Sequence, residues 1–167
     1  MEKNQDYWIA QLKLEPHPEG GYFKQILRSE QSLQVSADTT RPYYTSIYFL
    51  LTKGNPSHFH RLTSDEVWYY HAGSPLSIHL LHPDGRYEII QLGTDLEKGE
   101  VLQAIVPKNV IFGSSIESSG EFALVSCMVS PGFDYQDFEL FTKEQLNVLY
   151  PEHKEIIARL AYDQLPE

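Results

Sequence analysis

The feature of this chain that most constrains its fold is a series of short, β-branched and aromatic segments, each closed by turn residues. They fall at residues 22–28, 43–51, 66–70, 76–81, 86–92, 101–106 and 122–129. Segments of this length and composition suit a pleated, half-buried surface and are too short for core helices. The punctuation has tight-turn chemistry: Pro83-Asp84-Gly85 between two segments, then Lys98-Gly99-Glu100 and Ser119-Gly120-Glu121. Asp and Gly accept the backbone conformations that hairpins require. Helical segments do not alternate with the strands, which disfavours a doubly wound parallel sheet and leaves an antiparallel sandwich or barrel.

Helical signals occur only at the two ends. Tyr7, Trp8, Ile9, Leu12 and Leu14 suggest a short helix within residues 4–14, stopped by Pro16 and Pro18, with Gly20-Gly21 as a tight entry into the strands. Near the other end, Thr142 and Gln145 form a capping-box pattern ahead of Leu146 and Leu149. Pro151 is expected to open a second helix, with Ile156, Ile157 and Leu160 facing inward. The polar residues 29–40 read as a loop between strands. Without internal repeat or linker, residues 1–167 are expected to form a single domain.

Composition bears on partners. A net charge of −10 gives no Lys/Arg surface for releasing the counterions of a phosphate backbone, so a nucleic acid polymer and an anionic membrane are both disfavoured. A small molecule is the expected partner. The single cysteine, Cys127, lies in an apolar run, which suits a buried filler in a reducing, cytoplasmic setting. The polar start Met1-Glu2-Lys3-Asn4-Gln5-Asp6 lacks the apolar stretch of a signal peptide, and no segment approaches a membrane span.

The polar chemistry concentrates in residues 54–73. Side chains two apart share a face of a strand, so His58 and His60 are expected to point the same way, with Glu66 opening the next strand. Two imidazoles and a carboxylate could hold a divalent metal with open positions, or act as an acid/base pair with an orienting carboxylate. Of the other histidines, His82 and His153 are expected in solvent, and His79 lies in a strand of undetermined register.

The same stretch resembles the first cupin motif: His58-x-His60, five residues, Glu66, six residues, Gly73. The second cupin motif is echoed by Gly99 and Pro107-Lys108-Asn109-Val110-Ile111-Phe112, with Phe112 where that motif carries its fourth ligand, a His. Further stretches are similar to the cupin-5 family, a group of small domains named for unknown function. They are Leu14-Glu15-Pro16-His17-Pro18-Glu19-Gly20-Gly21-Tyr22-Phe23, then Ser57, His60-Arg61 and Ser64-Asp65-Glu66-Val67-Trp68. The last are Val129-Ser130-Pro131-Gly132-Phe133-Asp134-Tyr135 and Asp137-Phe138-Glu139-Leu140.

The resemblance implies an all-β double-stranded β-helix, the cupin jelly-roll barrel, flanked by short terminal helices and usually paired as a homodimer. Residues 22–28 and 43–51 are the expected dimer strands. It also implies likeness to sugar-nucleotide 3,5-epimerases, which need no cofactor. On that pattern His60 is the catalytic base, Glu66 orients it, and a pocket tyrosine donates the proton, with Tyr44, Tyr48 and Tyr70 available. His58, Tyr48, Tyr70 and Phe112 would then line a site for a carbohydrate-like ligand, Phe112 closing the position of a fourth metal ligand. Two alternatives stand beside it: a metal enzyme holding Fe, Mn, Ni or Zn at His58, His60 and Glu66, and a non-catalytic sensor on the same barrel.

Overall fold

The computed structural model describes residues 3–117 and 119–167; Met1 and Glu2, the start of the polar N-terminal stretch, lie outside the described residues. Helix α1 (Gln5–Leu12) leads into β1 (Glu15–Pro16), β2 (Tyr22–Arg28), β3 (Ser32–Ser36), β4 (Thr39–Pro42) and β5 (Thr45–Thr52). There follow β6 (Ser57–Arg61), β7 (Asp65–Gly73), β8 (Leu76–Leu81), β9 (Tyr87–Leu92) and β10 (Gln103–Val106). The chain ends with β11 (Ile111–Ile116), β12 (Phe122–Ser130), β13 (Glu139–Leu140), α2 (Lys143–Leu149) and α3 (Lys154–Leu160).

Two antiparallel sheets face each other, in the orders β1-β2-β5-β12-β7-β10 and β13-β6-β11-β8-β9. Non-sequential neighbours such as β5-β12-β7 and β6-β11-β8 are the double crossing of a jelly roll, so the fold is the expected all-β cupin barrel. Alternation along β5 explains its position. Ile47, Phe49 and Leu51 join Trp68, Ile78, Leu80 and Phe112 in the interior, whereas Tyr48 and Leu50 face outward under Trp8, Ile9 and Leu12 of α1. The second sheet is covered outside by α2 and α3, which bury Phe59, Leu81 and Ile111 against Leu146, Ile156, Ile157 and Leu160. β8 is buried on both faces, with Leu76, Ile78 and Leu80 toward the interior and the polar Ser77 and His79 on the other face.

The capping box of α2 forms between Thr142 and Gln145. Several local expectations change. Residues 29–40 do not stay a loop; β3 and β4 pair as a separate hairpin with Leu33 opposite Arg41. Pro151 does not open α3. It takes the second place of a turn in which the His153 N–H donates to the Tyr150 carbonyl at 3.1 Å, and the helix starts at Lys154. His153 and His82 are only part-exposed, bonding the Gly85 carbonyl at 2.8 Å and Glu88 at 2.7 Å. His79 faces away from the interior, between the Tyr87 hydroxyl (2.6 Å) and Ser115 (2.9 Å). Strand β11 was hidden by Gly113-Ser114-Ser115, which reads as a turn. Glycine stands there because a Cβ would come within 2.7 Å of the Ser57 carbonyl oxygen of the neighbouring strand.

The placement of β5 also alters the dimer expectation. It lies inside its sheet, paired on both sides, and so cannot offer an edge. β1 covers only Tyr22 and Phe23 of β2, and the exposed Ile26 and Leu27 lie beyond it. Among the described residues no helix is long and apolar enough to cross a membrane.

Candidate functional site

Apolar side chains fill one end of the barrel, and a cavity of about 120 Å³ occupies the other. Strand register assembles its polar wall. Thr45 of β5 is paired with Val129 of β12, which is in turn paired with Glu66 of β7, and Ile47 lies opposite Cys127; all five line the cavity. His60 enters from the second sheet. The remaining walls are largely aromatic: Phe23 from β2, and Phe133, Tyr135 and Phe138 from the segment after β12. That segment is fastened by Arg41, whose guanidinium donates to both oxygens of Asp137 at 2.7 and 3.1 Å, and by the Phe133 N–H, which donates to Thr45 at 2.9 Å.

A second carboxylate comes from the turn between β1 and β2. Gly20 has φ +105, and a Cβ there would collide with the Pro56 carbonyl oxygen, so only glycine allows this close approach. The turn carries Glu19 inward until its Oε2 lies 2.9 Å from His60 Nε2. His60 Nδ1 lies 2.7 Å from the His58 carbonyl, which can only accept. Both ring nitrogens therefore face acceptors, an arrangement satisfied fully only by an imidazolium donating from each nitrogen.

The electrostatics agree. Burial opposes charge on Glu19, yet the charge and the hydrogen bond of His60 outweigh it and hold the carboxyl below its ordinary value. Burial likewise opposes charge on His60, and Glu19, by charge and hydrogen bond, with a further contribution from Glu66, raises it. Glu66 is left outside this pair. Burial first, and then the charge of Glu19, push its carboxyl up to about 7, only partly offset by His60 and by a hydrogen bond from Cys127. The Cys127 thiol is pushed up by burial and by Glu66, so it stays protonated and donates.

The expected site residues separate accordingly. His60 and Glu66 line one cavity, but Glu66 is not the carboxylate that bonds His60; Glu19 is. His58 does not join them. Between its pairings with Phe112 and Ser114, β6 holds one residue more than β11, and this bulge breaks the alternation that would have put both imidazoles on one face. The His58 ring stacks on Tyr162 at 3.7 Å, and its Nδ1 donates to the Glu19 carbonyl at 2.8 Å, so it latches the turn. Tyr48 lies on the outer face beneath α1. Tyr70 is four residues beyond Glu66 on β7, and its hydroxyl donates to the Gly73 carbonyl. Phe112 is core, packed behind His60 with ring centroids 4.2 Å apart, and does not line the cavity.

These positions do not fit a divalent metal. His58 is turned away, both nitrogens of His60 are committed, and no group of three His, Cys, Asp or Glu suited to a metal occurs among the described residues. Glu19, His17 and Tyr135 were the residues that strand reasoning missed. They sit on connections, and the signal that pointed to them was their place in the family-like stretches around Gly20-Gly21 and after Val129.

Comparison with known proteins supplies the family. Residues 6–141 match the family described as Cupin superfamily (DUF985). The uncharacterized protein YML079W of Saccharomyces cerevisiae is 35% identical, over 77% of this chain and 71% of its own. Among solved structures, a hypothetical protein from Leishmania major superposes with a TM-score of 0.91 at 45% identity, covering 95% of this chain and 99% of that one. Protein SO0799 from Shewanella oneidensis gives 0.91 at 48% identity, covering 98% and 100%. Oxalate decarboxylase of Bacillus subtilis shares only the fold, at a TM-score of 0.54 and 17% identity over 91% of this chain and 40% of that one.

Proposed function

The chain belongs to the DUF985 family of the cupin superfamily, and we propose that it is a proton-transfer enzyme of isomerase or epimerase type acting on a small carbohydrate-like carbonyl compound. One observation carries the reading. Of the two buried carboxyls in the cavity, Glu19 is neutralised by His60, and Glu66 is left poised near pH 7 against an aromatic pocket. A general base works best when its pKa lies near the operating pH. Glu66 is therefore the base. His60, with both nitrogens committed, holds the charge of Glu19 in place. Tyr135, the tyrosine among the cavity-lining residues, is the candidate proton donor in place of Tyr48 and Tyr70.

The lining contains no Lys or Arg, so in a sugar nucleotide the sugar would enter and the diphosphate would stay outside. We further propose a homodimer formed along the uncovered part of β2, where Ile26 and Leu27 are exposed; Tyr43 and Tyr44, between β4 and β5, are exposed as well. The single buried thiol suits a reducing, cytoplasmic setting.

The test is hydrogen exchange. Neutral keto sugars and their sugar-nucleotide counterparts are incubated with protein in D2O, and deuterium gain is read by mass spectrometry. The expected result is exchange that rises with pH through about 7 and falls at least about 10²-fold in Glu66→Gln. Equal exchange in Glu66→Gln overturns the assignment. Tight binding across the panel without exchange establishes the non-catalytic binding module instead.

A further inference from the structure

His17 lies in the cavity wall outside the Glu19–His60 pair, and its hydrogen bonding specifies its chemistry. The Glu19 backbone N–H donates to His17 Nδ1 at 3.1 Å, so Nδ1 presents a lone pair and Nε2 carries the ring proton. Protonating the ring would set two N–H groups against each other. Burial pushes the pKa of this ring down against the Glu19 carboxylate, whose Oε2 lies 3.9 Å from Nδ1, and so favours the neutral form. The polar contacts of the ring among the described residues are at Nδ1, so Nε2–H is left for a ligand in the cavity, and the side chain is only 6% exposed.

The ring is also held rigidly. The backbone N–H of His17 donates to the Gly21 carbonyl at 3.0 Å, and the His17 backbone carbonyl accepts from the Gly20 N–H at 2.9 Å. Phe23 meets it edge-on with centroids 4.5 Å apart, with Phe138 at 5.9 Å and Tyr135 at 6.3 Å. A fixed N–H donor, neutral in form, beside aromatic walls suits an oxygen that is uncharged in the ground state and gains charge during reaction. It suits a phosphate or carboxylate poorly, since the described lining has no Lys or Arg and the His60 imidazolium is committed to Glu19.

We propose that His17 is the catalytic donor to a substrate carbonyl, and that the cavity takes an uncharged ring compound carrying a C–H beside that carbonyl. This rests on the acid–base reading of Glu66. In the step, the Glu66 carboxylate takes the proton from carbon, and the C–H electron pair becomes the new C=C bond. The carbonyl π pair moves onto oxygen, which accepts the hydrogen bond from His17 Nε2–H. Tyr135 O–H then delivers a proton to that carbon as the oxygen lone pair re-forms the carbonyl and the C=C pair takes up the proton. Protonated Glu66 and the Tyr135 phenolate return to their starting states by proton exchange with solvent. No oxidant or reductant is consumed.

The experiment uses 2-hydroxycyclohexanone, labelled with 13C at the carbonyl, as an uncharged probe, and cyclohexanecarboxylate as an anionic control of the same ring size. The ketone is expected to bind and the carboxylate to fail. The bound carbonyl resonance should shift downfield in the unmodified protein and in His17→Gln, whose amide keeps a donor, and not in His17→Phe. Exchange of the probe C–H in D2O should fall about 10²–10³-fold in His17→Phe and recover substantially in His17→Gln. Long-range 1H–15N spectra at pH 7.5 should show His17 neutral with its proton on Nε2.

A carbonyl shift unchanged in His17→Phe overturns the proposal, as does a His17 proton on Nδ1. Absence of ketone binding, or tighter binding of the carboxylate, overturns the substrate class. A His17-dependent carbonyl shift without exchange leaves the donor role standing and refutes the acid–base reading of Glu66 alone.

Discussion

Replacing Glu66 by Gln should make the protein more stable at high pH, with an advantage that grows as pH rises. The Glu66 carboxyl has an ordinary value of 4.5 and is raised to about 7 in the folded protein. An acid with a raised folded pKa favours the fold while protonated. Stability is lost as pH climbs from the unfolded value to the folded one, and the loss is constant above it. Gln keeps the shape without this titration. A gap of roughly 2.5 pKa units at about 1.36 kcal/mol each is a full penalty of about 3 kcal/mol. Part of it is already present at pH 5, so between pH 5 and pH 8.5 the Gln variant should gain about 2.5 kcal/mol on the parent. Any fixed cost of the amide, such as an imperfect hydrogen bond with Cys127, cancels in that difference. Urea unfolding at pH 5, 7 and 8.5 measures it, with the slope checked for two-state behaviour. Parallel pH profiles of parent and variant would refute the reasoning, because Glu66 would then have the same pKa folded and unfolded.

Other expectations follow from the same geometry. Glu19→Gln removes the partner of a buried imidazolium and should cost about 3 kcal/mol by urea unfolding, and NMR titration should find the His60 pKa lower than in the parent. Tyr48→Phe should leave hydrogen exchange on the active substrate unchanged, since that ring lies under α1; a loss of turnover would mean that the outer face takes part. Gly113→Ala forces a Cβ against the Ser57 carbonyl oxygen at 2.7 Å and should destabilise by about 1–3 kcal/mol in the same assay. Light scattering at micromolar concentration should give a dimer mass that Leu27→Lys reduces to a monomer; a monomer in the parent would end the homodimer proposal.

How much was legible in the sequence depended on whether chemistry or register decided the matter. Segments such as β2 and β8 stood out because β-branched and aromatic residues run between turn residues, and the Pro83-Asp84-Gly85 hairpin has its own signature. β11 did not stand out. Its centre is small because a neighbouring backbone lies against Gly113, and close approach of that kind leaves only glycine and serine in the sequence. The site was half legible. His60 and Glu66 reach the cavity as alternation and motif suggested, but one extra residue in β6 turned His58 away. A bulge has no compositional mark here. Glu19 and His17 lie on a connection, where periodicity says nothing about which side chain faces in. Only their motif context marked them.

The central claim is that Glu66 is the free, proton-exchanging carboxyl in a cavity where Glu19 and His60 neutralise each other. The most direct measurement is a 13C NMR titration of glutamate carboxyl carbons, with the Glu66 resonance assigned by its absence in Glu66→Gln. The account predicts a midpoint close to 7 for Glu66 and a Glu19 carboxyl that stays ionised below its ordinary range. A Glu66 midpoint near 4.5, with Glu19 titrating above it, would contradict the account.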